Sequence, residues 1–166
     1  MKVLITYSSK TGYTKKLADG IYNHIKNEGV AIMPIAEVTS LEAYDIVLVG
    51  YWVDKGGPNK EAAEFMETIK GKRVGIFATL GAYPDSQHGW DSLCRGAEIV
   101  EKENELIGRY ICQGAVDEKI IELFRSFGEG NPHAITPAKL KRYEIGKLHP
   151  NEAEMLAAAT LFKERF

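Results

Sequence analysis

Two hydrophobic rhythms alternate along the chain. Short unbroken apolar runs recur, and between them apolar residues return every three or four positions. Val3-Leu4-Ile5-Thr6 is a β-branched run that reads as a strand. Leu17, Ala18, Ile21 and Ile25 follow at helical spacing, and Asn27-Glu28-Gly29 stops that helix. Ala31-Ile32-Met33-Pro34-Ile35 reads as a second strand. Pro34 has no N–H to give to a ladder, so this strand belongs at a sheet edge. Ile46-Val47-Leu48-Val49 is a third run; Ala62, Phe65, Met66 and Ile69 then make a helical face closed by Gly71. Val74-Gly75-Ile76-Phe77-Ala78 is a fourth strand, Leu93, Ala97 and Val100 mark a helix, and Tyr110-Ile111-Cys112 lies in a fifth strand ending near Gly114.

The first, third and fourth runs are apolar on both faces, as strands of a parallel sheet are when helices cover both sides. Five strand–helix units within about 115 residues read as an α/β, doubly wound five-stranded parallel sheet. Right-handed crossovers leave few topologies, and 2-1-3-4-5 is the common order for five strands. Beyond this region the rhythm loosens. Val116, Ile120, Leu123, Phe124 and Phe127 suggest a helix that Gly128 to Pro132 breaks, and no period holds from there to Lys147. Residues 115–147 therefore read as an extension to which the sequence assigns no full structure. His149-Pro150-Asn151 introduces a final helix over residues 150–165, with Leu156, Ala159 and Phe162 on one face. With no repeat and no linker, residues 1–166 read as one domain.

Composition narrows the function classes. The chain is 45% hydrophobic and 27% charged, which excludes a disordered polymer. Its net charge of −2 offers no basic field for nucleic acid or an anionic membrane. Two cysteines make no disulfide framework, and no His/Cys/Asp/Glu cluster has metal spacing. Met1-Lys2 leads straight into a strand without a signal-peptide stretch, and no apolar run reaches membrane length. A cytoplasmic protein is expected.

In such a sheet, ligands bind outside the carboxyl ends of the strands where strand order reverses. Three loops converge there. The first, Tyr7 to Thr14, carries Ser8, Ser9, Thr11 and Thr14 around Gly12, directly before a helix. Hydroxyls and free backbone N–H groups at a helix start form an anion site. The same residues also suit an ordinary capped turn. The loop lacks the glycine-lysine pattern of a nucleotide triphosphate site, the glycine triplet of a dinucleotide site and the cysteine of a phosphatase. The second loop, Tyr51 to Asn59, carries Trp52, and the third, Thr79 to Gly89, carries Tyr83. Each aromatic either stacks on a flat ring or packs its loop against the sheet.

Ser9-Lys10-Thr11-Gly12-Tyr13-Thr14 resembles the phosphate loop of the flavodoxin family, Thr/Ser-x-Thr-Gly-x-Thr. The resemblance covers residues 2–114 and extends to the final helix. It implies the flavodoxin-like fold and non-covalent FMN. Ser8, Ser9, Lys10, Thr11, Gly12, Tyr13 and Thr14 would surround the phosphate. Tyr51 and Trp52 would flank the ring from the second loop and Tyr83 from the third. Backbone groups of Thr79, Leu80, Gly81 and Ala82 would meet its pyrimidine edge. In this family a peptide of the second loop flips to meet the protonated flavin N5; Gly56 and Gly57 suit such a flip, and equally suit a turn into Pro58. Tyr51 to Gly56 and Leu80 to Ser86 are similar in wording to the flavodoxins found beside bilirubin reductases in gut bacteria.

The implied function is electron transfer between a donor and an acceptor protein, with a bilirubin reductase as one acceptor and no catalytic residue of the chain's own. The competing readings are an FMN-dependent NAD(P)H oxidoreductase acting directly on a quinone or tetrapyrrole, and a flavin-free interaction module. No nicotinamide fingerprint is visible, and the hydroxyl loop is intact. The extension has no counterpart in short flavodoxins, and the chain is less acidic than that family generally is.

Overall fold

The structure, a computed structural model, describes residues 1–166. Strand β1 (Val3–Tyr7) leads through the hydroxyl loop into α1 (Tyr13–Ile25), and β2 (Val30–Pro34) follows. After β3 (Ile46–Asp54) comes a two-residue strand, β4 (Gly57–Pro58), and then α2 (Lys60–Thr68). Next come β5 (Arg73–Leu80), α3 (Gln87–Val100) and β6 (Glu105–Gln113). Helices α4 (Glu118–Arg125), α5 (Pro137–Gly146) and α6 (Glu152–Lys163) complete the chain.

Five strands pair in parallel in the order β2-β1-β3-β5-β6, with β4 added antiparallel to β3. This is the expected flavodoxin-like order with one short extra strand. Pleating divides each central strand between two cores. Val3, Ile5, Ile46 and Leu48 face α1 and α6, where Leu17, Ile21, Ala159 and Phe162 meet them. Leu4, Val47, Val49 and Ile76 face α2 and α3, where Met66, Leu93 and Ala97 meet them. Every residue of β1 is buried, which is why its sequence shows no alternation. Phe162 of the last helix packs edge-on against Phe77 of β5, with ring centroids 6.4 Å apart. A core side chain of that size stabilises the fold by about 1.5–3 kcal/mol through burial alone.

Two elements depart from the sequence expectation. Strand β3 continues past Val49 to Asp54, because β5 pairs with it through Trp52 and β4 supplies partners for Val53 and Asp54. The expected second loop is therefore a tight hairpin. Helix α5 lies where the sequence carries no helical period. Its start signals are local: Thr136 Oγ1 accepts from Lys139 N at 3.2 Å, and Pro137 takes the first helical position. The final helix starts as expected, with Asn151 and Glu154 forming a reciprocal cap.

Candidate functional site

The carboxyl ends of β1, β3 and β5 lie side by side in register, with Tyr7 opposite Gly50 and Trp52 opposite Thr79. The hydroxyl loop therefore meets the β3 hairpin and the loop after β5 along one sheet edge. Gly12 takes a left-handed φ of 93° and caps α1. That turn exposes the backbone N–H groups of the first helical turn, which have no intrahelical acceptor. Ser9 Oγ accepts from the N–H groups of Gly12 and Lys15, both at 3.2 Å. It occupies the role an anion oxygen takes at such a terminus. Thr11 and Gly12 are exposed.

The other two hydroxyls serve the scaffold. Thr14 Oγ1 is buried and hydrogen-bonds Thr79 Oγ1 at 2.8 Å, stitching α1 to the end of β5. Ser8 Oγ donates to the Glu61 carboxylate and accepts from Asn59 Nδ2 at 2.8 Å, tying β1 to the start of α2.

Beside the hydroxyl loop opens a cleft of about 250 Å³. Trp52 and Val53 line it from β3, and Thr79 to Ala82 line it from the end of β5. Val116, Ile120 and Phe124 contribute from α4 and the segment before it, and Arg142 and Tyr143 from α5. The volume is slightly below the usual range for small-ligand sites, about 300–1,000 Å³. It suits a flat ring held inside with its tail reaching the exposed start of α1. Lys10 crosses between the walls. Its ammonium stands 5.5 Å from the Trp52 ring centroid and pairs with Asp117 at 3.2 Å. Asp117 also caps α4 by accepting from Lys119 N at 3.0 Å. That backbone N–H and the Lys10 ammonium together hold its carboxyl below the ordinary carboxylate range.

The β3–β4 hairpin turns through Lys55 and Gly56, with φ of 49° and 80°. Positive φ at both central residues is the turn that matches hairpin twist. The Gly56 carbonyl accepts from the Arg95 side chain on α3. A Cβ at Gly56 would collide with the Arg95 guanidinium, so this backbone and that side chain are closely packed.

Tyr13, Tyr51, Gly57 and Tyr83 do not line the cleft. Tyr51 is fully buried on the opposite face, and its hydroxyl donates to the Ser92 carbonyl at 3.2 Å. Adjacent strand residues point to opposite faces, so Tyr51 and Trp52 cannot share a ligand. Tyr83 is 46% exposed and lies outside the cleft lining. Gly57 is buried against the aliphatic stem of Arg95. Tyr13 is half-buried and packs against Gly114. Lys10, Thr11, Trp52 and Thr79 to Ala82 do line the cleft. Phe124, Arg142 and Tyr143 were missed, and only the Thr136-Pro137 start of α5 hinted at the helix that carries the last two. Cys112 is buried, and burial pushes its thiol up, which leaves it unreactive.

The donor set fits FMN. An exposed helix start with free N–H groups and hydroxyls suits its phosphate. The Arg142 Nε is buried without a hydrogen-bond partner, as a side chain awaiting an acceptor would be.

Comparison with known proteins agrees with this fold. The flavodoxin domain model matches residues 4–163. A flavodoxin-like domain-containing protein BilS from Clostridioides difficile (strain CD3) is 34% identical, covering 98% of this chain and 95% of that protein. Among solved structures, oxidised flavodoxin 2 from Bacillus cereus superposes with a TM-score of 0.57 at 21% identity, covering all of both chains. A flavoprotein from Lactobacillus acidophilus NCFM in complex with FMN gives 0.54 at 18% identity, covering 74% of this chain and 97% of that one.

Proposed function

The chain belongs to the flavodoxin family, and from that premise we propose that it holds FMN in this cleft and passes electrons between two proteins, the acceptor being a bilirubin reductase. The observation that carries the reading is the join of an anion-ready helix start with an aromatic-lined cleft at one sheet edge. Thr11 and the N–H groups of Gly12, Tyr13 and Thr14 would bind the phosphate, with Ser9 releasing its helix donors to the ligand. Trp52 would stack on the ring, and backbone groups of residues 79–82 would meet its polar edge. Bound there, FMN supplies a ring that takes up and returns electrons singly or in pairs.

The chain's own residues shape that chemistry. Neutral donors bind a phosphate without cancelling its charge, and the α1 dipole offsets only part of it. Apolar walls keep water from the ring, so charge on it is disfavoured. Lys10 is half exposed and already paired, so its field is screened. The Arg95 bond to the Gly56 carbonyl opposes rotation of the Gly56–Gly57 peptide. The acceptor assignment is supported by the similarity to BilS. We read residues 1–166 as one flavodoxin-like unit whose extension walls the cofactor cleft.

Purified protein, loaded with FMN and reduced by a flavodoxin reductase, should transfer electrons to a bilirubin reductase and speed bilirubin reduction. It should not oxidise NAD(P)H alone. Unchanged bilirubin turnover contradicts the acceptor assignment; steady NAD(P)H oxidation by the protein alone contradicts the carrier role.

A further inference from the structure

The extension brings into the cleft one positive charge that no carboxylate of the chain neutralises. Arg142 lines the cleft from α5. Its guanidinium carbon lies 5.9 Å from the Tyr83 ring centroid and 5.4 Å from that of Tyr143, two faces that attract and orient the cation. Its Nε is buried and unpartnered. None of the chain's ion pairs includes it. By contrast Lys10, the other cation of the cleft, is paired with Asp117 at 3.2 Å.

The backbone that carries Arg142 is firmly seated. Its carbonyl accepts from Gln113 Nε2 at 3.1 Å, and Gln113 is buried at the end of β6. At Gly146 the backbone of α5 comes so close to Gly114 that a Cβ there would stand 2.8 Å from the Gly114 carbonyl oxygen. A half-buried guanidinium with no anion is costly, and an arriving anion turns that cost into binding. The phosphate has its donors at the start of α1. Arg142 instead stands over Tyr83, which directly follows the residues 79–82 assigned to the pyrimidine edge.

We propose that Arg142 holds the negative charge on the pyrimidine side of the fully reduced flavin ring, making full reduction easier than the phosphate and apolar walls alone would allow. This inference rests on the FMN reading above. Two electrons from a reduced partner protein and one proton from water leave one negative charge on that side of the ring. The guanidinium keeps its proton throughout and donates N–H hydrogen bonds to that charge. No covalent bond forms between them.

The test is titration of oxidised and reduced FMN and riboflavin into wild type, R142Q and R142K, with both one-electron potentials followed by anaerobic reduction. R142Q is expected to weaken reduced FMN and reduced riboflavin alike by about tenfold. Oxidised forms should stay within about twofold, well below what loss of a charged hydrogen bond removes. The second one-electron potential then falls by about 59 mV, the tenfold equivalent for one electron. R142K should recover most of the loss. R142M, which keeps a stem against the two tyrosines, gives the same readout if R142Q fails to fold. An unchanged second potential in a folded neutral variant overturns the proposal. So does a variant that weakens FMN in both redox states and spares riboflavin, because that places Arg142 on the phosphate. A wild-type chain that takes up no flavin overturns the FMN reading itself, and is seen before any variant is made.

Discussion

The hydroxyl loop and the extension meet at one cleft by opposite routes. The loop is local: six consecutive residues, Ser9 to Thr14, turn on one glycine and present neutral donors. The extension is assembled from afar. Val116, Phe124 and Arg142 are separated by many residues, and α4 and α5 bring them together. The loop supplies an anion site that a short motif can encode. The extension supplies a wall and a charge that only tertiary packing can place. On the reading proposed above, binding and tuning of the cofactor fall to separate parts of the chain.

The sharpest break in the comparison is energetic. Phe162 seals the central sheet, so Phe162→Ala should lower global stability by about 3–5 kcal/mol. Denaturant unfolding monitored by circular dichroism checks this; a loss below about 1 kcal/mol would show that α6 is not part of the main core. Ile121 is the buried residue of α4. Ile121→Ala should cost about 2 kcal/mol, felt locally. Amide exchange should quicken in α4 and α5 and leave β1, β3 and β5 protected. Uniform loss of protection would mean that the extension and the sheet open as one unit.

Smaller effects separate the parts further. Gly56→Ala places a side chain at φ 80° and against Arg95, and should cost about 1–2 kcal/mol. It should also loosen the hairpin, with faster exchange at the Asn59 N–H that bonds the Trp52 carbonyl. A fully stable variant would show that Arg95 does not hold the turn. The smallest effect is acid weakening of the strap between Lys10 and Asp117. The folded Asp117 carboxyl is held below its unfolded value, near 3.9. Its contribution is therefore present above that value and lost as pH falls through the lower folded one. Chemical shifts of α4 should move in that acidic window, and Asp117→Asn should abolish the movement.

What was legible in the chain follows the same division. Fully buried β1 announced a parallel sheet because five consecutive residues are apolar or threonine-sized, with no polar face. The turn of the hydroxyl loop was legible because its geometry is set within six residues. The apolar run ends at Val49, so the sequence leaves Tyr51 in a loop; with the strand running to Asp54, alternation sends Tyr51 and Trp52 to opposite faces. Arg142 gave no signal, since its place in the cleft depends on α5 docking across the end of β6. Loop position brings Tyr83 to this sheet edge but does not fix its exposure.

The central claim is that neutral donors at the start of α1 grip the tail of the flavin nucleotide. Anaerobic titration of the flavin-free protein with FMN and with riboflavin isolates that tail. FMN is expected to bind at least about a hundredfold more tightly, since two or more charge-assisted hydrogen bonds at about 1.5–3 kcal/mol each depend on the phosphate. Equal affinity for the two would contradict the claim.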